Sequence, residues 1–255
     1  MKLRLVAILA TSLIAVAFAR ADDYSFKEPF KRTGAFSATG AITLENVNGD
    51  IDIRTWDKNE ILIEGEKSAK TEEELKAVDL AMDVSESHAA IKVRLPKRSG
   101  GWFSDGTIRA SVRFSLTIPA KAILERVATV NATVSVDGAR GKAHVETVNG
   151  NIYTTNLGGS ARCRTVNGQI KADFADVSAG QELTFGTVNG SIKVRLPKDA
   201  GVALRTSVVN GRVDCDFPLT LTNSSGKRNL SGTIGDGRAS LKAETVNGSI
   251  HIEQR

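Results

Sequence analysis

One tripeptide governs what this chain can become. Val-Asn-Gly stands at Val47-Asn48-Gly49, Val148-Asn149-Gly150, Val166-Asn167-Gly168, Val188-Asn189-Gly190, Val209-Asn210-Gly211 and Val246-Asn247-Gly248, and a degraded copy is Val130-Asn131-Ala132. From that degraded copy onward the asparagines are 18, 18, 22, 21 and 37 residues apart. A period of about 20 residues is the signature of stacked supersecondary units. The last gap is close to two periods, which predicts one copy masked or replaced by a loop.

The residues around the tripeptide obey strand periodicity. Three positions after each Asn stand Ile51, Ile152, Ile170, Ile192, Val213 and Ile250; two further on stand Ile53, Thr154, Ala172, Val194, Cys215 and Ile252. Between them lie Asp52, Tyr153, Lys171, Lys193, Asp214 and His251. Before the turn, Val145, Cys163, Phe185 and Ala243 share one face, with Glu146, Arg164 and Glu244 on the other. Such alternation marks half-buried strands. Each unit reads as strand, Asn-Gly corner, strand and a second turn such as Leu157-Gly158-Gly159. Asn-Gly is also a strong hairpin signal, so two architectures fit: a stack of antiparallel hairpins, or a parallel β-solenoid in which like residues stack coil upon coil. The near-constant period and matching residue types at matching phase favour the solenoid. Its stacked asparagines would bond from coil to coil.

The N-terminal half is less regular. Strands are expected at residues 41–44, 51–53, 61–63, 90–95 and 107–118. One helix is expected, where Thr71 and Glu74 form a capping box and Leu75, Val78 and Met82 fall on one face at helical spacing as core packing. The expected fold class is all-β, with one short helix in the N-terminal half and regular repeats from about residue 120.

The first 21 residues read as an address. Lys2 and Arg4 precede an apolar run over residues 5–19, and Ala17-Phe18-Ala19 and Ala19-Arg20-Ala21 both fit a cleavage signal after Ala19 or Ala21. The run is shorter than the ~20 residues that span a bilayer, so no membrane span is expected after cleavage. Residues 22–35 then form an N-terminal segment and 36–255 the repeat domain. Formal net charge is +5, but Lys2, Arg4 and Arg20 supply three of the 34 basic residues, leaving 31 against 29 acidic ones. A near-neutral balance and 5% aromatics argue against nucleic-acid binding.

The repeated Thr-Val-Asn-Gly-Ser-Ile units, the run Ile192-Lys193-Val194-Arg195-Leu196-Pro197 and the closing Ser231-Gly232-Thr233-Ile234-Gly235-Asp236-Gly237 carry a resemblance. From about residue 36 onward the chain resembles the bacterial "putative adhesin" family, exported β-strand-repeat proteins whose domain has no assigned function. The resemblance implies a right-handed β-solenoid-like fold, a cell-envelope or extracellular location and no catalytic residues. No C-terminal anchoring segment or translocator is visible, which favours a periplasmic or secreted product.

Chemistry is sparse. Cys163 and Cys215 fall two coils apart on opposite sheets, roughly 9–10 Å at ~4.8 Å per coil, beyond the reach of a disulfide, so two buried free thiols are expected. His88, His144 and His251 lack metal-ligand spacing, and no cofactor is expected. Asp50 with Asp52 and Asp214 with Asp216 are outward pairs on solvated strands. Trp102 and Phe103, on a Gly-flanked loop with Lys97 and Arg98, are candidates either for ligand contact or for covering the core. Lys171 and Lys193, with Arg162, Arg164 and Arg195, give a lateral face local basic character. The expected function is a non-enzymatic envelope binding or scaffolding module whose partner is an envelope polymer or protein. A carbohydrate-active enzyme with Asp214 and Asp216, or a solenoid self-associating through its ends, are the alternatives.

Overall fold

The computed structural model of the chain describes residues 24–95, 109–225 and 228–255. The expected leader and the loop bearing Trp102 and Phe103 lie outside the described residues. The strands form two sheets, one of eleven strands and one of ten. The strand before each Asn-Gly corner belongs to the eleven-stranded sheet, called here the leading sheet, and the strand after it to the ten-stranded trailing sheet.

Pairing within both sheets orders the coils. The stack begins with His88–Arg94 and Ala110–Pro119, followed by Ala41–Glu45 with Ile51–Trp56, then Ile123–Ala128 with Val134–Asp137. Next come Ala143–Glu146 with Ile152–Leu157, Ala161–Arg164 with Ile170–Phe174, and Glu182–Asn189 with Ile192–Leu196. Ala239–Asn247 with Ile250–Gln254 is seventh, and Val202–Asn210 with Val213–Cys215 is eighth. Neighbouring coils pair in parallel and in register: Ile152 opposite Ile170, Ile170 opposite Ile192, Ile192 opposite Ile250. The chain is a parallel β-solenoid, not a hairpin stack.

The corner residues explain the tripeptide. The preceding Thr points inward, and its hydroxyl donates to the corner carbonyl of the coil before: Thr165 to Gly150 at 3.0 Å, Thr187 to Gly168 at 3.1 Å, Thr245 to Gly190 at 3.0 Å. These bonds satisfy buried polar groups that would otherwise cost roughly 1–3 kcal/mol each. Val then points out, and Asn joins a continuous ladder in which each side-chain amide donates to the oxygen of the Asn before it in the stack. Its order is Asn48, Asn131, Asn149, Asn167, Asn189, Asn247, Asn210, with bonds of 2.8–2.9 Å. Gly follows because of contact, not only conformation. A Cβ on Gly168 would lie 1.9 Å from the Gly150 oxygen, and one on Gly190 1.9 Å from the Gly168 oxygen. At these corners the carbonyl of the coil before approaches too closely for a side chain, whereas the Asn131 corner admits Ala132.

The coil order corrects the expectation for the long last gap. No copy is missing: the coil carrying Asn247 inserts between those carrying Asn189 and Asn210. The intervening residues form a hairpin, Thr220–Ser225 with Asn229–Ile234, and its second strand pairs antiparallel along the outer edge of Val202–Asn210. A turn with Gly235 and Gly237 at φ 57° and 67° then carries the chain past Gly201 to the inner edge of the same strand. Phe217, 6% exposed, closes this end of the core.

The opposite end is also capped. Phe26–Ala35 pairs antiparallel with Glu60–Ala69, which pairs antiparallel with Ala110–Pro119, so residues of the N-terminal segment form the edge of the trailing sheet. The helix is shorter than its apolar spacing suggested, only Glu72–Lys76, with the Thr71 hydroxyl accepting the Glu74 N–H at 3.2 Å. Met82 lies on a strand, Asp79–Val84, antiparallel to His88–Arg94. Leu80, Met82 and Val84 alternate with the exposed Asp79, Ala81 and Asp83, and that period of two won over the helical one. Both thiols are free, but Cys215 is only half-buried and, with the Asn247 coil inserted, lies three coils from Cys163 instead of two.

Candidate binding face

The leading sheet presents two parallel tracks along the stack. The first is apolar. Val130, Val148, Val166, Val188, Val246 and Val209 line up beside the Asn ladder, each between 37% and 55% exposed. Strand alternation forces them outward, because the residue before each, a Thr or, before Val209, Val208, is buried. They form one wall of an open groove of about 890 Å³, whose other side carries Glu45, Arg126, Glu146, Arg164 and Glu244. Gly186 leaves a notch between Arg164 and Glu244: a Cβ there would meet nothing nearer than 3.9 Å.

The second track is cationic. Register places His144, Arg162, Thr184, Lys242 and Arg205 in one row across five consecutive strands, and Arg126 adjoins it where the register shifts opposite His144. The row runs parallel to the valines, four residues up each strand and thus roughly 13 Å away. Arg126 pairs with Glu45 at 2.6 Å and Glu146 at 3.6 Å, Lys242 with Glu244 at 2.9 Å, and His144 with Glu146 at 3.0 Å. Arg162, Arg164 and Arg205 have no carboxylate partner among the described residues. A hydrogen bond from Lys92 holds the Glu45 carboxyl below the usual carboxylate range, with added attraction from Lys92 and Arg126. Glu45 therefore stays ionised.

The trailing sheet faces the other way and is compensated. Lys171 and Lys193 do sit on adjacent strands, but Lys171 lies over the Tyr153 ring at 5.5 Å and Lys193 pairs with Glu253 at 2.7 Å. Arg195 pairs with Asp173 at 3.2 Å and Glu253 at 4.0 Å. These three residues thus lie on the side opposite Arg162 and Arg164 and do not form one basic face with them. Asp214 is bonded by Arg212 at 2.9 Å and faces His251 at 3.3 Å, on the terminal coils away from the groove. Among the described residues no three His, Cys, Asp or Glu side chains converge as metal ligands, and no helix is long and apolar enough to cross a membrane.

The apolar track was readable in principle. The Val of the tripeptide sits one residue from an inward Thr, so alternation alone sends it outward. The cationic row was not, since it requires the coil order.

The Toastrack DUF4097 family model matches residues 126–253, 128 of the 255 residues. The chain belongs to the Toastrack DUF4097 family. The Toastrack match starts in the coil carrying Asn131 and ends in the coil carrying Asn247, so the first two coils and the N-terminal cap precede it. The Toastrack chain is also similar to the structure of a "putative cell adhesion protein" from Clostridium sporogenes ATCC 15579, at 15% identity and a TM-score of 0.48, covering 89% of this chain and 100% of that one. A "putative adhesin" from Bacteroides fragilis NCTC 9343 is similar at 9% identity and a TM-score of 0.39, covering 88% and 97%. No curated protein matches the chain.

Proposed function

We propose that this protein is an exported, non-enzymatic binding module of the cell envelope, adhesin-like in action, which docks an extended partner along its leading sheet. The observation that carries this reading is the groove itself. It is long, open and walled by a row of six exposed valines, a shape suited to a chain lying along the stack and not to a small substrate enclosed from water. The carboxylates beside it are tied to cations, and Glu45 is held ionised, the opposite of what a glycosidase general acid requires. Asp214 and Asp216 lie away from the groove, so the enzymatic alternative gains nothing from the fold. Covered ends leave little room for end-to-end assembly of coils.

Co-sedimentation tests the reading. The purified protein is mixed with isolated peptidoglycan, envelope fractions and a panel of insoluble polysaccharides, at low and high salt. Saturable pelleting with one fraction is expected. Release of soluble sugar, or no pelleting with any fraction, overturns it.

A further inference from the structure

We infer that the partner of the leading sheet is a linear polyanionic glycan, lying along the stack with its acidic groups against the row Arg126, His144, Arg162, Lys242 and Arg205. This deepens the binding-module reading above and rests on it. The row from His144 to Arg205 is built by register across five strands, so its positions recur at about 4.8 Å per strand, close to the advance per residue of an extended sugar chain. Thr184 is the one position without a basic side chain.

The charge is available for a ligand. Arg162, Arg164 and Arg205 are exposed and unpaired by carboxylates among the described residues, while Glu45, Glu146 and Glu244 are already engaged by Lys92, Arg126 and Lys242. Exposed Glu125 and Glu182 also stand on the leading strands, so the uncompensated basic charge is local to Arg162, Arg164 and Arg205, whereas the trailing face pairs Lys193, Arg195 and Arg255 with Glu253 and Asp173. Desolvating an unpaired arginine against a carboxylate or sulfate forms charge-assisted, often bidentate hydrogen bonds. The class of polyanion follows from what the face lacks. Along the described strands of these six coils, Phe185 is the one aromatic ring in the leading sheet besides His144, and Phe185 is 1% exposed. Among the described residues of these coils no platform exists for stacked bases, the mainstay of single-stranded nucleic-acid binding. The valine wall instead suits the C–H faces of pyranose rings.

The test uses the purified protein and fluorescently labelled polygalacturonate, followed by anisotropy. Binding is expected, weakening steeply with salt as released counterions dictate. The pair Arg162→Gln and Arg205→Gln is expected to weaken it roughly ten-fold and flatten its salt dependence. Lys171→Gln with Lys193→Gln, on the opposite face, is expected to leave it unchanged. Equal binding of labelled neutral dextran, equal binding of single-stranded DNA, or wild-type affinity in the double arginine variant overturns the inference. If polygalacturonate is not bound while an envelope fraction still pellets the protein, the glycan class is wrong and the binding-module reading stands. If neither binds, that reading falls as well.

Discussion

Asn167 donates its side-chain amide to Oδ1 of Asn149 at 2.8 Å, and its own Oδ1 accepts the amide of Asn189 at 2.8 Å. Every interior Asn of the ladder has this double role, so each side chain orients its neighbours. The backbone repeats the logic: the Asn167 N–H donates to Val148, and its carbonyl accepts from Gly150. Replacing an interior member removes two side-chain hydrogen bonds. Asn167→Ala is expected to destabilise by about 2 kcal/mol, and the terminal Asn210→Ala by about half of that. Urea denaturation followed by circular dichroism reads the difference; equal losses would contradict a directional ladder.

Gly168 is required by contact. Gly168→Ala would drive a methyl into the Gly150 carbonyl, held in place by the Thr165 hydroxyl. A loss of about 3 kcal/mol is expected, against less than about 0.5 kcal/mol for Ser178→Ala on the exposed turn that follows Ile170–Phe174.

Thr154 sits in the row of Ile53, Val136, Ala172, Val194 and Ile252, 1% exposed, and its hydroxyl has no partner. An unsatisfied buried hydroxyl costs free energy that an isosteric methyl does not. Thr154→Val is expected to stabilise the protein by about 1 kcal/mol, read as a higher melting temperature. A drop would show that the hydroxyl is bonded in solution.

Burial pushes the Cys163 thiol up to about 12, and burial also raises that of Cys215. Thiolate is the reactive form, so at pH 8 a thiol-specific reagent is expected to modify only the half-buried Cys215, and that slowly. Cys163 should react on unfolding, with mass spectrometry counting the adducts. Fast modification of both in the native state would contradict the buried position.

A hydrogen bond from Lys193 keeps the Glu253 carboxyl below its ordinary value. A carboxyl depressed in the folded state stabilises it above the unfolded value, and this contribution is lost as pH falls through the folded value. The melting temperature of the wild type should therefore fall more between pH 7 and pH 3 than that of Lys193→Gln. Parallel curves would show the pair to be thermodynamically silent, as exposed pairs can be.

Much of this fold was legible because the repeat writes its own geometry. Ile152, Ile170 and Ile192 at one phase, with Tyr153, Lys171 and Lys193 at the next, define inward and outward faces. The order of the coils was not legible, and the reason is physical. A Val-Asn-Gly corner offers the same bonds to any other, so nothing local in Asn247 tells it to stack on Asn189 and not beyond Asn210. That choice is made by the hairpin on the free edge of Val202–Asn210 and the tight turn at Gly235 and Gly237. The same blindness placed Arg162 and Lys171 on one imagined face. Cap strands such as Asp79–Val84 were hidden because residues Leu75, Val78 and Met82 also satisfy a helical spacing.

Both the ladder and the cationic row depend on the coil order, and cross-linking reads that order directly. In a background with Cys163 and Cys215 replaced by Ser, Thr184→Cys is combined with Lys242→Cys or with Arg205→Cys and treated with a short bifunctional thiol reagent. Thr184 opposes Lys242, and Lys242 opposes Arg205. The structure predicts rapid cross-linking of the 184–242 pair and little of the 184–205 pair. The reverse result would place the Asn210 coil directly on the Asn189 coil, and would contradict both the inserted coil and the face built on it.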